Sequence, residues 1–279
     1  MSAASGARVG ATTRPRPIGR SALERRLRTL ALYGVLIAGG LVMIVPFIWM
    51  LATSLKTRAE VFRAPMLAFP SGLHFENYER MWNALPGVTF GDFFVNSLKI
   101  ASLSTVGALI SCSLAAFAFA VLPFRGRGLL FALIMATLII PFQVVLVPNF
   151  ILYRTLPHPL SDSGNWIGTQ EPLWVGAFLG GAFGIFRWIY LPLAKPVLAT
   201  LAIFTFMWSW NDLINPLIYL RDLPDYTTTV GLSFFQGQYV GKWPEMMAGA
   251  VVSLLPMVLL FIIAQQYFVR GIAISGLKG

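Results

Sequence analysis

The chain has 279 residues, of which 57% are hydrophobic and only 11% are charged, and its mean hydropathy is +0.72. Soluble domains carry about 25% charged residues, so this chain has too few charges to cover a water-facing surface. The composition therefore excludes a soluble globular protein and predicts an all-α protein embedded in a membrane.

The N-terminal residues carry much of the net charge of +10, because seven Arg and one acid precede Leu30. Residues 1–29 are rich in Ala, Ser, Gly and Pro and lack apolar periodicity. We expect them to form a disordered basic cytoplasmic tail against an anionic membrane surface, and residues 30–279 to form the transmembrane domain. A nucleic-acid-binding tail is disfavoured, because a basic flank before a first span is what orientation requires.

Six apolar segments follow in chain order, and each is a candidate membrane span. A crossing helix needs about 20 mostly apolar residues, and all but the fourth segment meet this length easily. The fourth has 15 residues, which rise only about 22 Å as an α-helix, against a hydrocarbon core of about 30 Å. The segments are 30–51, 93–122, 129–153, 172–186, 196–220 and 246–269. The pattern predicts six transmembrane helices with a short fourth span.

A tight bend separates the fourth span from the fifth. A single helix over residues 172–220 would be about 73 Å long, which no bilayer accommodates. Arg187 and Lys195 fall in the middle of this stretch, and Pro192 and Pro196 each remove a helix hydrogen bond there. We therefore place the bend at residues 187–195.

The charges of the connecting segments predict the orientation. With six spans, the side that holds both termini carries 13 Lys and Arg and one acid, whereas the opposite side carries seven and nine acids. Basic residues concentrate on the cytoplasmic side, so both termini are expected in the cytoplasm. The long outer connections 52–92, 154–171 and 221–245 could form caps or meet a soluble partner, whereas the inner connections are too short for an enzyme domain.

Motifs of catalysis and cofactor binding are missing from the sequence. It contains no H-E-x-x-H, no phosphate-binding glycine loop and no G-x-S-x-G. Cys112 is the only cysteine, which excludes a disulfide or a cysteine-based metal site within the chain. We expect no catalytic residues, no metal and no cofactor.

Polar residues inside the spans are the best candidates for function. In "FMWSWNDLINPLIYL" (206–220), Asn211 and Asn215 are four residues apart and would share a helix face. Together with Asp212 they could form the wall of a substrate path, with Trp208 or Trp210 as a stacking surface. Helix–helix hydrogen bonding, or a span end in the headgroups, is the alternative.

Two further spans contain polar interruptions. Lys99, near the start of the second span, is expected to snorkel outward along its stem. In the third span, Pro141, Gln143, Pro148 and Asn149 interrupt an apolar helix. Such breaks line translocation paths in some transporters, and a structural kink explains them equally well.

Several stretches resemble one family of transporters. These are "NSLKIAS", "AAFAFAVLPFRGRGLL", "IIPFQVVLVPNFIL", "YLPLAKPVLATLAIFTFMWSWNDLINPLIYL", "YTTTVGL" and "ISGLKG". In this order they resemble the MalG-like permease subunit of binding-protein-dependent carbohydrate ABC importers of the bacterial inner membrane. The resemblance covers nearly everything from Leu30 to Gly279.

The resemblance implies a type I importer permease that works with a second permease, two cytoplasmic ATPases and an extracytoplasmic sugar-binding protein. ATP is then hydrolysed by the ATPases and not by this chain. The substrate path would include Asn149, Trp208, Trp210, Asn211, Asp212 and Asn215. Contacts to the binding protein would come from Phe235, Gln236, Gln238 and Tyr239. Contacts to the ATPases would come from Trp188, Ile189, Leu191, Ser275, Gly276, Leu277 and Lys278.

The chain departs from the family pattern where "AFGIF" meets "RWIYLPLAKP" directly. In the family, a cytoplasmic helix pair that docks into the ATPase stands between these two motifs. An uncoupled permease with an internal deletion, an error in the gene sequence, and docking through the bend and C-terminal tail are three open explanations. A non-transporting membrane scaffold and a secondary carrier are the alternative functions, although Asp212 is the only intramembrane acid that a carrier could use.

Overall fold

The computed structural model describes residues 22–63, 68–137, 139–159, 161, 164–178, 191–236 and 241–276. This part of the chain is helical and contains no strand beyond two isolated bridges. The α-helices are α1 (Ala22–Ser54), α2 (Arg58–Arg63), α3 (Glu76–Trp82), α4 (Phe90–Val121), α5 (Arg127–Thr137), α6 (Phe142–Thr155), α7 (Leu191–Trp210), α8 (Ile214–Tyr219), α9 (Thr228–Ser233) and α10 (Trp243–Gly276). Single 3-10 turns are Glu171–Leu173, Val175–Phe178 and Leu223–Asp225.

Three of these helices contain segments long and apolar enough to cross a membrane: Arg26–Ser54, Phe90–Val121 and Trp243–Gln265. They confirm the predicted first, second and sixth spans as long apolar helices. The chain divides into two compact units, the first ending at Ile48 and the second beginning at Trp49. In the first unit, residues 26–48 are exposed on every side, which suits a helix surrounded by lipid or by other membrane helices.

The first helix starts earlier than the sequence suggested. The composition predicts a disordered tail over residues 1–29, but α1 already begins at Ala22. The strong helix formers Leu, Arg and Ala in this stretch, with Glu24 in the first turn, favour continuing the helix beyond the apolar residues. Residues 1–21 of the predicted tail lie outside the described part of the chain.

The third predicted span is two helices rather than one. α5 and α6 are bent by 101° relative to each other, across a short break that ends at Pro141. Pro141 directly precedes α6 and has an extended backbone (φ −61°, ψ 138°). Proline is tolerated at this position because a helix start does not need its N–H. Pro148 lies inside α6 and does not end it.

The fifth predicted span ends at Trp210 instead of Leu220. Residues 211–213 leave the helix, and α8 starts a new one at Ile214. A helix running through Pro216 would lose one hydrogen bond and place the proline ring against the carbonyl of Asp212. Restarting at Ile214 puts Pro216 in a first turn, where a missing N–H has no cost.

The predicted bend and the fourth span are described only in part. Residues 171–178 form two 3-10 turns instead of the start of an α-helix, and residues 179–190 lie outside the described part. α7 already begins at Leu191, so the bend at 187–195 was predicted too long by five residues. Pro192 lies in the first turn of α7, where proline is well tolerated.

The described residues of the connection 52–92, which was predicted to lie outside, fold into a cap at one end of α1. Asn77 of α3 is buried, and its Nδ2 donates hydrogen bonds to the carbonyls of Ser54 and Lys56, both at 2.9 Å. The hydroxyls of Ser54 and Tyr78 are 2.9 Å apart. Below this cap lies an apolar cluster of Met81, Val88, Phe90, Phe93, Phe235 and Ala248. The cluster joins α3, the start of α4 and the start of α10.

Candidate substrate pathway

Three polar side chains build the break between α7 and α8. Asn211 closes the end of α7, since its backbone N–H and its Nδ2 both donate to the carbonyl of Met207, at 3.1 and 2.8 Å. The Asp212 carboxylate then accepts the backbone N–H of Asn215 at 3.2 Å and the Nδ2 of the same residue at 2.6 Å. Asp212 thus satisfies a free N–H in the first turn of α8.

This geometry corrects one inference from the sequence. Asn211 and Asn215 do not share a helix face, because the helix is broken between them. They nevertheless face one cavity of about 600 Å³ beside the break. Its lining is Phe142, Gln143, Phe204, Met207, Trp208, Asn211, Asp212, Leu213, Ile214 and Asn215.

Trp208 presents the largest aromatic surface in this cavity. Its side chain is 75% exposed, whereas the neighbouring polar groups on the break are amides and one carboxylate. Sites for small molecules combine apolar and aromatic walls with a few placed polar groups, which is the composition found here. The cavity can therefore hold a polar molecule that has one apolar face.

Trp210 has a different role. It is only 3% exposed, its Nε1 donates to the carbonyl of Ser253 at 3.2 Å, and its ring stacks on Phe206 at a centroid distance of 5.6 Å. Phe94 packs edge-on against it at 5.4 Å. Trp210 thus holds α7 against α4 and α10 and lies away from the cavity, so only Trp208 of the two candidate stacking residues is open to a ligand.

Asn149 is not among the residues that line the cavity. It lies half-buried on α6, whose neighbouring rings contact Tyr219 of α8. Phe150 stacks on Tyr219 at 6.5 Å, and Tyr153 meets the same ring edge-on at 5.5 Å. These contacts join α6 to α8 and place the start of α6, with Phe142 and Gln143, at the cavity.

The segments predicted to contact partner proteins are partly described. Phe235 is buried in the apolar cluster, so it anchors its loop instead of offering a contact surface, whereas Gln236 is exposed. The backbone N–H of Lys242 donates to the carbonyl of Phe235 at 3.0 Å and closes the loop at its base. Gln238 and Tyr239 lie outside the described part.

Most of the predicted ATPase contacts also lie outside it. Trp188, Ile189, Leu277 and Lys278 are not described. Leu191 is the first residue of α7, and Ser275 and Gly276 are the last two of α10. The described backbone thus places these three at the ends of long helices.

Lys99 makes a hydrogen bond that the sequence did not suggest. Its Nζ donates to Oε1 of Gln170 at 3.0 Å, and Nε2 of Gln170 donates to the carbonyl of Asp225 at 3.3 Å. Asn96, one turn earlier on α4, donates to the carbonyls of Pro224 and Tyr226. The first turns of α4 therefore hold the segments around Gln170 and Pro224–Tyr226, and Lys99 is more than a snorkelling cation.

The end of the molecule that holds α2, α3 and the start of α10 also carries a charged cleft of about 610 Å³. Its deepest group is Glu245, 3% exposed, which forms an ion pair with Arg58 at 2.5 Å. The pair joins α2 to the first turn of α10. The cleft is lined by Arg58, Glu76, Glu79, Arg80, Asn83, Lys242 and Glu245.

The Glu60 carboxylate of α2 holds Ser71, in the described end of the loop that follows this helix. Glu60 accepts hydrogen bonds from the hydroxyl and backbone N–H of Ser71, and from the backbone N–H and hydroxyl of Thr57. These bonds, that from the Ser71 hydroxyl foremost, lower the pKa of Glu60 from 4.5 to about 2. The charged form of Glu60 is therefore the one that holds this loop.

Protonation of Glu60 is expected to release the loop. A lowered pKa means that the stabilisation is complete above pH 4.5 and is lost as the pH falls through about 2. Hydrogen–deuterium exchange at the Ser71 amide, corrected for intrinsic rates, should show protection that declines across this window. Glu60→Gln should weaken the protection at neutral pH, whereas Glu79→Gln, an exposed acid on α3, should leave it intact. Protection that is independent of pH between 4.5 and 2 would contradict the assignment.

The chain is similar in sequence to known transport permeases. No family model matches the chain. The arabinooligosaccharide transport system permease protein AraQ of Bacillus subtilis is 30% identical over 257 aligned positions, which cover 84% of this chain and 90% of that protein. The melibiose/raffinose/stachyose import permease protein MelC of the same organism is 28% identical over 286 positions, covering 93% and 100%.

A solved structure shares the fold. It is a chain of a bacterial ABC transporter involved in the import of the acidic polysaccharide alginate, with a TM-score of 0.71. The match covers 91% of this chain and all of the other, at 19% sequence identity. At this identity the likeness concerns the arrangement of the helices.

Proposed function

Because the chain belongs to the family of permease subunits of carbohydrate ABC importers, we propose that the cavity at the α7–α8 break is part of its sugar path. The observation that carries this proposal is the meeting of Trp208 with Asn211, Asp212 and Asn215 around one cavity. A sugar presents an apolar ring face and a rim of hydroxyls. An exposed indole suits the face, and amide and carboxylate groups suit the hydroxyls.

The relatives guide the choice of test sugars. Their names specify arabinooligosaccharides in one case and melibiose, raffinose and stachyose in another. All of these are neutral oligosaccharides. Among the described residues that line the cavity, Asp212 is the only charged one, so the cavity offers no cation that would pair with an anionic sugar.

Six crossings with both termini in the cytoplasm complete the proposal. The sorting of basic residues supports it, and so does the direction of the segment after Gln170. Ser104 contacts Leu173 and Ser111 contacts Ala177, so this segment runs parallel to α4. A second and a fourth crossing must run in the same direction. The partners are a second permease, two ATPases that hydrolyse ATP, and an extracytoplasmic binding protein.

The lengths of the alignments support an internal deletion. The 257 positions aligned with AraQ cover about 234 residues of this chain, since 84% of 279 is about 234, which leaves about 23 positions without a residue here. The 286 positions aligned with MelC cover about 259 residues by the same reckoning, which leaves about 27. We place these positions between Phe186 and Arg187, where the docking helix pair stands in the family, and infer that coupling to the ATPases is weakened.

Substitutions at Trp208 and Trp210 are expected to affect different properties, transport in the first case and stability in the second. Trp208→Ala should lower uptake of labelled arabinotriose or raffinose by about tenfold, the loss expected for one aromatic contact of about 1–1.5 kcal/mol. Its thermal unfolding should be unchanged, because the side chain is exposed. Trp210→Ala should lower stability by about 3–5 kcal/mol, because it empties a buried aromatic site. Uptake in vesicles that hold the complete importer, and unfolding in detergent, are the measurements.

The two variants serve as controls for each other. The proposal is wrong if Trp208→Ala transports every test sugar at the unmodified rate while Trp210→Ala shows the expected loss of stability. Because coupling is weakened, the same comparison is also made with a docking segment inserted after Phe186. This keeps the rates measurable.

A further inference from the structure

Gln143 is a polar side chain of the cavity that takes no part in building the α7–α8 break. It is the second residue of α6, it is exposed, and it lines the cavity. Within the described part of the chain, no residue forms a hydrogen bond with its side-chain amide. Asn211, Asp212 and Asn215, by contrast, each use part of their hydrogen-bonding capacity in the break itself. The whole capacity of the Gln143 amide is therefore available to a ligand.

The surroundings of Gln143 make an amide without a partner unfavourable. Its neighbours in the sequence, Phe142 and Val144, are exposed hydrophobic residues. In the proposed six-span topology α6 lies in the bilayer, where a polar group needs a hydrogen-bond partner. A polar ligand in the cavity supplies such a partner. The position of Gln143 thus indicates a ligand that forms hydrogen bonds from within the cavity.

The cavity has polar groups on two walls that belong to different helices. The wall at the break carries two amides and the Asp212 carboxylate, and the wall on α6 carries Gln143. Ring contacts join α6 to α8, because Phe150 stacks on Tyr219 with centroids 6.5 Å apart and Tyr153 meets the same ring edge-on at 5.5 Å. Contacts within the chain itself therefore hold the two walls together.

The two walls offer a hydroxyl different hydrogen bonds. The Asp212 carboxylate only accepts, and its two oxygens have room beyond the two bonds from Asn215. The Gln143 amide offers two N–H donors as well as a carbonyl oxygen. A sugar hydroxyl donates one hydrogen bond and accepts others. One hydroxyl can therefore donate to Asp212 while it accepts from Gln143.

We propose that Gln143 is a specificity-determining residue of the sugar path, and that Gln143 and Asp212 bind the same sugar hydroxyl from the two walls. The inference rests on the proposed function, in which this cavity lies on the path. A site that hydrogen-bonds a substrate hydroxyl discriminates against an analogue without it, because the polar groups of the site are then left unpaired. The pair therefore selects sugars that carry a hydroxyl at one defined position.

The first test uses variants that keep the size of the side chain. Gln143→Met removes the amide, and Gln143→Glu keeps its shape but loses the N–H donors. Gln265→Met is the matched control, because Gln265 is an exposed glutamine of α10 that does not line the cavity. All three are made in the chain with a docking segment inserted after Phe186, and uptake is measured in vesicles that hold the complete importer.

Both variants of Gln143 should lower uptake of the test sugar about tenfold, which is the loss expected for one hydrogen bond in the path. Gln265→Met should transport at the unmodified rate. The temperature of thermal unfolding should be unchanged in all three, since neither glutamine is buried. The amount of second permease that co-purifies should also be unchanged.

A set of deoxy sugars tests whether the two residues share one hydroxyl. The test sugar is the one of arabinotriose, melibiose and raffinose that is transported fastest, and each analogue lacks one of its hydroxyls. Uptake of the parent sugar should exceed that of one analogue about tenfold or more. In Gln143→Met and in Asp212→Asn, this ratio should fall at least about threefold for the same analogue. The binding protein is the same throughout, so its own selectivity cancels in the comparison.

The outcomes separate this inference from the proposed function. If Trp208→Ala and Gln143→Met both transport at the unmodified rate, the cavity is not on the sugar path and the proposed function fails. If only Trp208→Ala lowers uptake, the path stands and the role of Gln143 is overturned. Loss of the second permease from the purified Gln143→Met complex would place Gln143 at the permease interface and also overturn it. Discrimination lost for different analogues in the Gln143 and Asp212 variants would refute the shared hydroxyl.

Discussion

In the chain with a docking segment inserted after Phe186, replacing Asp212 with alanine is expected to lower sugar uptake about a hundredfold while the chain still inserts in the membrane. The carboxylate accepts two hydrogen bonds from Asn215 and thereby fixes the start of α8 relative to the end of α7. Hydrogen bonds to charged groups contribute about 1.5–3 kcal/mol each, so losing both costs about 3 kcal/mol or more locally. About 1.4 kcal/mol corresponds to tenfold, which gives the expected loss.

Asp212→Asn tests the same arrangement more gently. Its amide oxygen can still accept one of the two hydrogen bonds, so uptake should fall only about tenfold. Asp222→Ala is the matched control, since Asp222 is an exposed acid outside the cavity. Uptake by Asp212→Ala at the unmodified rate in the complete importer would show that the break does not shape the path. The secondary-carrier alternative predicts instead that uptake survives depletion of ATP.

The second large effect concerns coupling to ATP hydrolysis. With the assembled ATPases and a sugar-loaded binding protein, the unmodified chain should show little increase in ATP turnover. Inserting a family-like docking segment between Phe186 and Arg187 should raise sugar-stimulated turnover and uptake at least about tenfold. The reason is that nucleotide binding can shift the permease between two conformations only through contacts that differ between them. ATP turnover and uptake are measured on the same vesicles.

A flexible Gly/Ser insert of equal length is the control, and it should give no stimulation. If the unmodified chain is already fully stimulated by sugar, the bend and the C-terminal tail suffice for docking, and the deletion has no functional effect. If the family-like docking segment gives no gain although the ATPases bind, the non-transporting scaffold is the better description of this chain.

The sequence predicted the parts of the fold that depend on apolar length. The segments that became α1, α4 and α10 are each far longer than a bilayer crossing needs, so hydropathy alone identifies them. Hydropathy does not locate the ends of these helices, which depend on hydrogen bonds of individual side chains. α4 begins where the Thr89 N–H donates to Asp92 at 2.8 Å, a signal present in the sequence as Thr and Asp three residues apart.

Interruptions were harder to place than spans. Pro216 follows the polar residues 211 and 212 within an otherwise apolar stretch, and its ring makes a continuous helix costly. A mean hydropathy over the whole stretch hides this local break. The 3-10 turns at 171–178 accept two hydrogen bonds from hydroxyls of α4, which lie about 70 residues earlier in the chain. No pattern within the segment itself indicates those partners.

The candidate site was predicted in composition but not in geometry. Trp208, Asn211, Asp212 and Asn215 meet at one cavity, although through a helix break instead of a shared helix face. Trp208 and Trp210 lie on different faces of α7, and the face of Trp210 is the one that packs on Phe94 and Ser253 of the neighbouring helices. Gln170, the partner of Lys99, lies too far along the chain for spacing rules to find it.

Protection of position 208 by sugar tests most directly whether the cavity lies on the sugar path. Trp208→Cys and Val197→Cys, both in a Cys112→Ala background, place a thiol at two exposed positions of α7, of which only the first lines the cavity. In the complete importer with its binding protein and ATP, arabinotriose, melibiose or raffinose should slow maleimide labelling at position 208 and leave position 197 unchanged. Equal labelling at position 208 with and without every one of these sugars, while the same preparation transports one of them, would contradict the account.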